Sequence, residues 1–241
     1  MTQQELTQSV RAALEADVRI NLARHPLRIE AMRDGAVVLE GEVPDVAARK
    51  SALSVAARVP GVRGIVDRLC IAVATPRGDG EIRDSLVKLI EHESELSNCS
   101  LRIRLEGRLE AVHDAGPEGA GAVEAEIKGG VITLNGEVLS LTHKRMLGVL
   151  AWWTPGCRDV INGIAVVPEE QDSDDEIVDA VRLALEMDPM LKAETIAVQC
   201  RDAVVTLEGN VRTEAGRRQA ELDAWYVFGI ERVENRLRLR D

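Results

Sequence analysis

The sequence predicts an α+β protein built from three tandem αββαβ domains, each a small mixed three-stranded sheet with two helices on one face. One observation behind this prediction is a strand-like phrase that occurs three times, as "VVLEGEV", "ITLNGEV" and "VVTLEGNV". The other is a second glycine that follows each phrase at a constant distance, in "PGV", "PGC" and "FGI". A repeated phrase with a repeated spacing indicates one structural unit used three times.

Each unit opens with an amphipathic helix, because apolar residues recur there at helical spacing and form one stripe. The three stripes are Leu6, Val10 and Leu14; Ile82, Leu86 and Ile90; and Ile177, Val181 and Leu185. A short strand and the turns "RDG", "KGG" and "RDA" come next, and such turns are typical of β-hairpins.

The repeated phrase is the second strand of that hairpin, and its alternation of apolar and polar residues predicts one buried face. In the first unit this face carries Val37, Leu39, Gly41 and Val43. We expect the glycine, which recurs in both other units, to leave room for a helix or to permit a bulge.

A second helix and a last strand complete the unit. Typical N-cap residues stand at one aligned position and predict the start of the helix: Asp45, Ser140 and Thr213. The last strand should lie parallel to the phrase strand, as in a βαβ crossover. A polar residue interrupts its apolar face in every copy, at Asp67, Asn162 and Asn235. We expect these side chains to bond to nearby backbone groups.

The three units predict domain 1 at residues 1–74, domain 2 at 79–168 and domain 3 at 174–241. The polar stretches "ATPRGDGE" and "PEEQDSDDE" separate them. Domain 2 also carries an insertion at about residues 101–122, which either extends the hairpin or forms a loop. An insertion confined to one copy is a reasonable place for a specific function.

These motifs together resemble the BON domain, named for bacterial osmotically inducible and nodulation proteins. The resemblance is carried by "VVLEGEV…PGVRGIVDRLCI", "ITLNGEV…PGCRDVINGIAV" and "VTLEGNV…FGIERVENRLRL", and it extends over nearly the whole chain. It implies three αββαβ folds and non-enzymatic binding. It also implies an association with phospholipid surfaces, the cell envelope or stress.

The composition disfavours nucleic acid and membrane-spanning classes. The net charge of −11 opposes binding to polyanions, and aromatic residues at 2% offer few stacking surfaces for bases. No apolar run is long enough for a transmembrane helix. The start "MTQQELTQSVRAALEADV" lacks the pattern of a signal peptide, so we expect a cytoplasmic protein.

The sequence contains no recognisable catalytic or cofactor motif. It lacks the nucleophile elbow, the zinc-protease motif, the Walker loop and the dinucleotide fingerprint. The four cysteines lie far apart and form no CxxC pair. We therefore predict no catalytic residue, no metal site, no cofactor and no enzyme activity.

A dibasic pair occupies one aligned position of the second helix in every copy. The pairs are Arg49 and Lys50, Lys144 and Arg145, and Arg217 and Arg218. Two interpretations stay open. The pairs either bind an anion, such as a lipid phosphate or an acidic partner, or form a solvated helix face with local salt bridges.

The aromatic residues fall in two aligned patches near the end of the second helix. The patches are Trp152 and Trp153 in domain 2, and Trp225, Tyr226 and Phe228 in domain 3. The core stripe of this helix falls on alanines, so some rings should point elsewhere. They could lie between domains, in a dimer or at a membrane interface. We favour domain or subunit contacts, because a unit of about 70 residues is marginally stable alone.

These observations predict a non-enzymatic binding or scaffold protein that acts through protein–protein contacts or self-association. The alternative is a peripheral binder of anionic phospholipid or another small anion, using the dibasic pairs and the aromatic patches.

Overall fold

The computed structural model describes residues 2–116, 119–170 and 173–240. Residues 117–118 of the predicted insertion and 171–172 of the predicted linker lie outside the described residues. The chain divides into two compact units, the first ending at Ala74 and the second beginning at Thr75. The three domain ranges stay predictions. No helix in the described part of the chain has the length and apolar character needed to cross a membrane.

Domain 1 has the predicted order of elements. They are α1 (Gln3–Glu15), β1 (Leu27–Ala31), β2 (Ala36–Val43), α2 (Val46–Ala57) and β3 (Gly64–Ile71). Strand β2 is central, antiparallel to β1 and parallel to β3, which confirms the predicted hairpin and the parallel last strand. The apolar stripes of both helices are buried in one core with the inner face of the sheet.

Domain 2 has the same order with two strands added. Its elements are α3 (Asp79–Glu91), β4 (Cys99–Leu105), β5 (Arg108–His113), β6 (Gly121–Lys128), β7 (Val131–Val138), α4 (Leu141–Trp153) and β8 (Asp159–Val166). Its sheet has five strands in the order β5-β4-β6-β7-β8. The insertion therefore extends the sheet. Strand β4 buries Leu101 and Ile103 and pairs in parallel with β6, while β5 forms an exposed edge.

Domain 3 returns to the three-stranded form. Its elements are α5 (Asp174–Met187), β9 (Ile196–Arg201), β10 (Val204–Val211), α6 (Glu214–Tyr226) and β11 (Arg232–Leu239). The strand order is β11-β10-β9, with the same antiparallel and parallel pairing as in domain 1.

The predicted N-caps are confirmed in all three domains. The side chains of Asp45, Ser140 and Thr213 each accept a hydrogen bond from the backbone N–H three residues on. This bond satisfies one of the amides that a helix start leaves without a partner, so each second helix begins at the residue after the cap.

Glycine recurs at one aligned position, as Gly41, Gly136 and Gly209, because two strands approach each other closely there. Each has a positive φ, of 140°, 129° and 128° respectively. A Cβ at these positions would meet the carbonyl oxygen of Pro26, Ala122 or Thr195, at the start of the neighbouring strand. The close neighbour of each glycine is therefore a backbone carbonyl, and not the helix that was one of the two expectations for this position. The matching surroundings of the three glycines support one fold used three times.

The hairpin turn of domain 3 places a non-glycine residue in the left-handed region. Ala203 has a φ of 57°, and the aligned residues of the other domains are Gly35 and Gly130, with φ of 88° and 79°. The carboxylate of Asp174 holds the turn by accepting hydrogen bonds from the N–H groups of Asp202 and Ala203, at 2.9 and 3.0 Å. An alanine here carries backbone strain that glycine avoids.

We expect Ala203→Gly to raise the free energy of unfolding by about 1 kcal/mol, because the left-handed conformation costs alanine about that much. Ala197→Gly is the matched control, since Ala197 is an exposed residue of strand β9 with no positive φ. In the control the change should lower stability by about 0.5–1 kcal/mol. Urea unfolding followed by tryptophan fluorescence measures both, and a loss of stability in both variants would contradict the strain.

Candidate functional site

The two aromatic patches meet where domain 2 packs against domain 3. Helix α4 contacts both α5 and α6 of domain 3. Trp152 stacks on Tyr226 with ring centroids 5.7 Å apart and planes 13° from parallel. Trp153 donates from its indole Nε1 to Oδ1 of Asp223, at 3.0 Å. Offset stacking and a partly buried indole hydrogen bond both stabilise such a contact.

The basic pair of domain 2 lies in the same contact. Arg145 is 2% exposed and donates from Nε to the carbonyl oxygen of Phe228, at 3.3 Å. The Lys144 ammonium lies 4.6 Å from the centroid of the Phe228 ring, a cation–π arrangement. Trp225 is buried, whereas Phe228 stays 49% exposed at the rim. The junction of α4 with domain 3 is thus surrounded by this basic pair and by four of the five aromatic rings. The four are Trp152, Trp153, Tyr226 and Phe228.

The three arginines of the other two basic pairs contact carboxylates of their own domains. Arg49 forms a salt bridge with Asp67 at 2.9 Å, and its neighbour Lys50 is half-buried. Arg217 and Arg218 both contact Glu214, at 3.5 and 3.7 Å. Arg218 is the most accessible of these arginines, with 78% of its side chain exposed.

The polar residue of each last strand bonds to backbone groups, as predicted. Asn162 donates to the carbonyl oxygen of Lys144 at 2.9 Å and accepts from the N–H of Ile164. Asn235 makes the same two bonds, donating to the carbonyl oxygen of Arg217 and accepting from Leu237. These bonds tie the basic positions of α4 and α6 to the sheet.

In domain 1 the equivalent residue is an aspartate, and its bonding changes accordingly. Asp67 still accepts from the N–H of Leu69, at 2.9 Å. A carboxylate has no N–H to give to the helix backbone, so its other oxygen binds the guanidinium of Arg49 instead.

A pair of buried carboxyl groups lies beside the aromatic contact. Asp223 on α6 is fully buried and Asp188, at the end of α5, is 7% exposed. Gln219 also donates to Asp223, at 2.9 Å. Burial raises the pKa of Asp223 to about 8, and the charge of Asp188 and a hydrogen bond with it add to that rise. The bonds from Trp153 and Gln219 act in the opposite direction. Asp223 is therefore mainly protonated at neutral pH.

Asp223 was not among the predicted site residues, although the repeat contains a signal for it. The aligned residues of the other domains are the apolar Val55 and Leu150. Domain 3 thus replaces a core-type residue by a carboxyl group that receives a hydrogen bond from domain 2. Within the described residues, no cluster of three or more histidine, cysteine, aspartate or glutamate side chains could hold a metal ion.

Domain 1 has a groove on the corresponding helix surface. It lies between α2 and β3, has a volume of about 410 Å³ and is lined in part by Leu53, Ala57, Val62 and Ile65. Ala57 is exposed and occupies the position aligned with Trp152 and Trp225. The large indole of domains 2 and 3 is thus replaced by a methyl group at an open apolar groove.

Comparison with known proteins identifies a family. The family model described as BON domain matches residues 2–73, 108–168 and 173–241. The middle match begins at β5, past α3 and β4, because the inserted strands separate the first helix of domain 2 from β6. No curated protein matches the chain.

Two solved structures of a Chlamydia trachomatis protein are also similar to the chain. One is the C-terminal domain of CdsD, the structural protein of the type III secretion system, at 11% identity, with both chains covered completely and a TM-score of 0.26. The other, from structural studies of CdsD, has 12% identity, coverage of 98% of this chain and 92% of that one, and a TM-score of 0.25. These TM-scores are too low to support an argument about fold or function.

The three family matches cover well over half of the chain, and each includes the strand–helix–strand segment that the sequence repeats. BON domains are binding domains of a non-catalytic type. The protein therefore belongs to the BON domain family, with three BON domains in tandem.

Proposed function

We propose that this protein is a scaffold that acts through protein–protein contacts made by its BON domains. One observation carries the proposal: two BON domains of this chain already bind each other through the surface of their second helices. That contact combines an aromatic stack, an indole hydrogen bond and a buried arginine. Aromatic residues and arginine are the side chains that dominate the energy of protein interfaces.

The groove of domain 1 extends the proposal to a partner. Leu53, Val62 and Ile65 give it apolar walls, and Arg63 and Asp67 also line it. A mainly apolar pocket with a few polar groups suits an aromatic side chain that a partner protein inserts. Domains 2 and 3 supply an indole of their own at this aligned position, whereas domain 1 has only the methyl group of Ala57. We therefore propose that a partner protein places an aromatic side chain there.

A photo-crosslinker at position 57 tests this proposal in the full chain. Benzoylphenylalanine in place of Ala57 should give a discrete protein adduct in the native host, identified by mass spectrometry. The matched control carries the same group in place of Glu30, an exposed residue on the sheet of the same domain. Adducts at position 57 that do not exceed those at position 30 would count against a protein partner at the groove.

Binding to anionic phospholipid is the second candidate, and the exposed guanidinium of Arg218 favours it. Flotation with anionic vesicles tests it at about 0.1 M and about 1 M salt, because screening weakens exposed charge contacts. If the protein associates with the vesicles at low salt and Arg218→Gln does not, the result would support binding to anionic phospholipid. Flotation that is absent, or unchanged by salt, would leave the scaffold proposal as the better account.

A further inference from the structure

Domain 3 contains a cavity at the start of α6, at the other end of this helix from Trp225 and Tyr226. It lies in the corner where the connection between α5 and β9 meets the ends of β10 and β11 and the start of α6. Its volume is about 330 Å³, within the range of small-molecule sites. Three cationic residues line it, namely Lys192, Arg212 and Arg240. None of the described residues that line it carries a carboxylate.

The two arginines are specific to domain 3. Arg212 is aligned with Pro44 and Leu139, and Arg240 is aligned with Ala72 and Val167. The structure places the residues aligned with Arg240 at equivalent positions of the fold. The N–H groups of residues 72, 167 and 240 each donate to the carbonyl oxygen of the last valine of the central strand. The same corner of the fold is therefore uncharged at both positions in two domains and doubly cationic in the third.

The rest of the cavity lining is apolar or neutral. Met190, Leu191 and Val211 contribute the apolar part, and Met190 is 82% exposed. A methionine left this open gains from any apolar group that covers it. The start of α6 is already capped, because Thr213 accepts from the N–H of Gly216 at 3.0 Å. The attraction for an anion therefore comes from the cationic side chains.

We propose that this cavity binds a small amphipathic anion, in which a phosphate or carboxylate group is joined to a short apolar chain. Three like charges around one cavity repel one another, and an anion between them removes that repulsion. Arginine is well suited to bidentate contacts with phosphate and carboxylate oxygens. The apolar chain would lie against Met190, Leu191 and Val211. The site is independent of the groove in domain 1, so the scaffold proposal stands or fails separately.

Calorimetric titration of the full chain with hexyl phosphate tests the site. We expect saturable binding that weakens at least about tenfold in Arg212→Gln/Arg240→Gln, because this variant loses both guanidinium groups that contact the phosphate oxygens. The matched control is Arg11→Gln/Arg33→Gln, which removes two exposed arginines from domain 1 with the same change in net charge. The control should bind as the wild type does. Circular dichroism verifies that all variants stay folded.

Two further probes complete the test. Hexanol, which lacks the charge, should bind at least about tenfold more weakly than hexyl phosphate. Phosphatidylglycerol vesicles identify the source of the anion. If the wild type floats with the vesicles and Arg212→Gln/Arg240→Gln does not, the bound anion is a lipid headgroup. If the wild type does not float, the bound anion is a free ester. Equal affinities of the two double variants, equal binding of hexanol, or no binding of hexyl phosphate would overturn the site.

Discussion

Raising the pH from about 4 to about 8 is expected to weaken the folding of domains 2 and 3 through Asp223. In the folded protein the pKa of this carboxyl is raised from 3.8 to about 8. The folded state keeps a proton that the unfolded chain releases, so this stabilisation is complete below pH 3.8 and disappears as the pH approaches 8. One pKa unit corresponds to about 1.4 kcal/mol, and we expect a loss of roughly 3–5 kcal/mol over the window.

Asp223→Asn should remove this loss, because the amide copies the shape and the hydrogen bonds of the protonated acid. Its oxygen can accept from Trp153 and Gln219, and its N–H₂ can donate to Asp188. Urea unfolding of wild type and variant at a series of pH values measures the effect. All three tryptophans lie in domains 2 and 3, so their fluorescence reports on this unit alone.

The diagnostic quantity is the difference between the two curves, because other groups have the opposite dependence. Asp174, for example, has a lowered pKa caused first by the hydrogen bond from the Ala203 backbone, and this favours folding at higher pH. Asp179→Asn is the control, since the side chain of Asp179 is 77% exposed. Wild-type and Asp223→Asn curves that stay parallel from pH 4 to 8 would show that Asp223 titrates normally.

Trp152→Ala is the second large effect, and we expect it to lower the free energy of unfolding of the same unit by about 2–3 kcal/mol. The change removes the stack on Tyr226 and the packing of a half-buried indole against the core of domain 2. Domain 1 shows that a BON domain folds with alanine at this position, which is Ala57. The loss should therefore leave domain 2 folded, and it combines the lost contact with domain 3 and the lost packing on the core of domain 2.

The same urea titration measures this loss, because Trp153 and Trp225 remain as reporters. Phe228→Ala is the control. Its ring is half-exposed and its cation–π contact with Lys144 is worth about 0.5–1 kcal/mol at such a site. If Trp152→Ala cost no more than Phe228→Ala, the stack would not hold the two domains together.

The repeated fold could be predicted because its signals are local. Alternation along one strand, a capping residue such as Asp45 and a polar residue such as Asn162 each act within a few residues of the chain. All three copies give the same signals, so they reinforce one another. The predicted caps and backbone bonds are accordingly found in the structure.

The sequence could not decide whether the insertion in domain 2 extends the hairpin or forms a loop, because only one of its two strands is buried. Strand β4 alternates and buries Leu101 and Ile103, which is typical of a strand. Strand β5 pairs on one side only and leaves Leu109 exposed, so its sequence carries no burial pattern. An edge strand is fixed by its backbone pairing, which a hydrophobic pattern does not reveal.

The interface was only partly visible in the sequence for a similar reason. A helix face that packs on another domain and one that faces water both lie outside the domain's own core. The pair Lys144 and Arg145 therefore has the same pattern as a solvated charge run, yet Arg145 is buried. The aromatic patches gave a stronger signal, because large rings outside a core stripe need some other surface to cover them.

Two further features could have been found by comparing the copies with one another. Asp223 replaces an apolar residue of both other domains, and Arg212 and Arg240 replace uncharged residues at two positions. Each departure is an ionisable side chain at an aligned position where the other two domains have an uncharged residue. In a repeat protein such differences indicate what one copy does beyond folding.

A double-mutant cycle between Trp152 and Tyr226 tests most directly whether BON domains of this chain bind through their second helices. It compares the free energies of unfolding of wild type, Trp152→Ala, Tyr226→Ala and the double variant. A stack of this geometry predicts a coupling energy of about 0.5–1.5 kcal/mol. Effects that add without measurable coupling would contradict the contact.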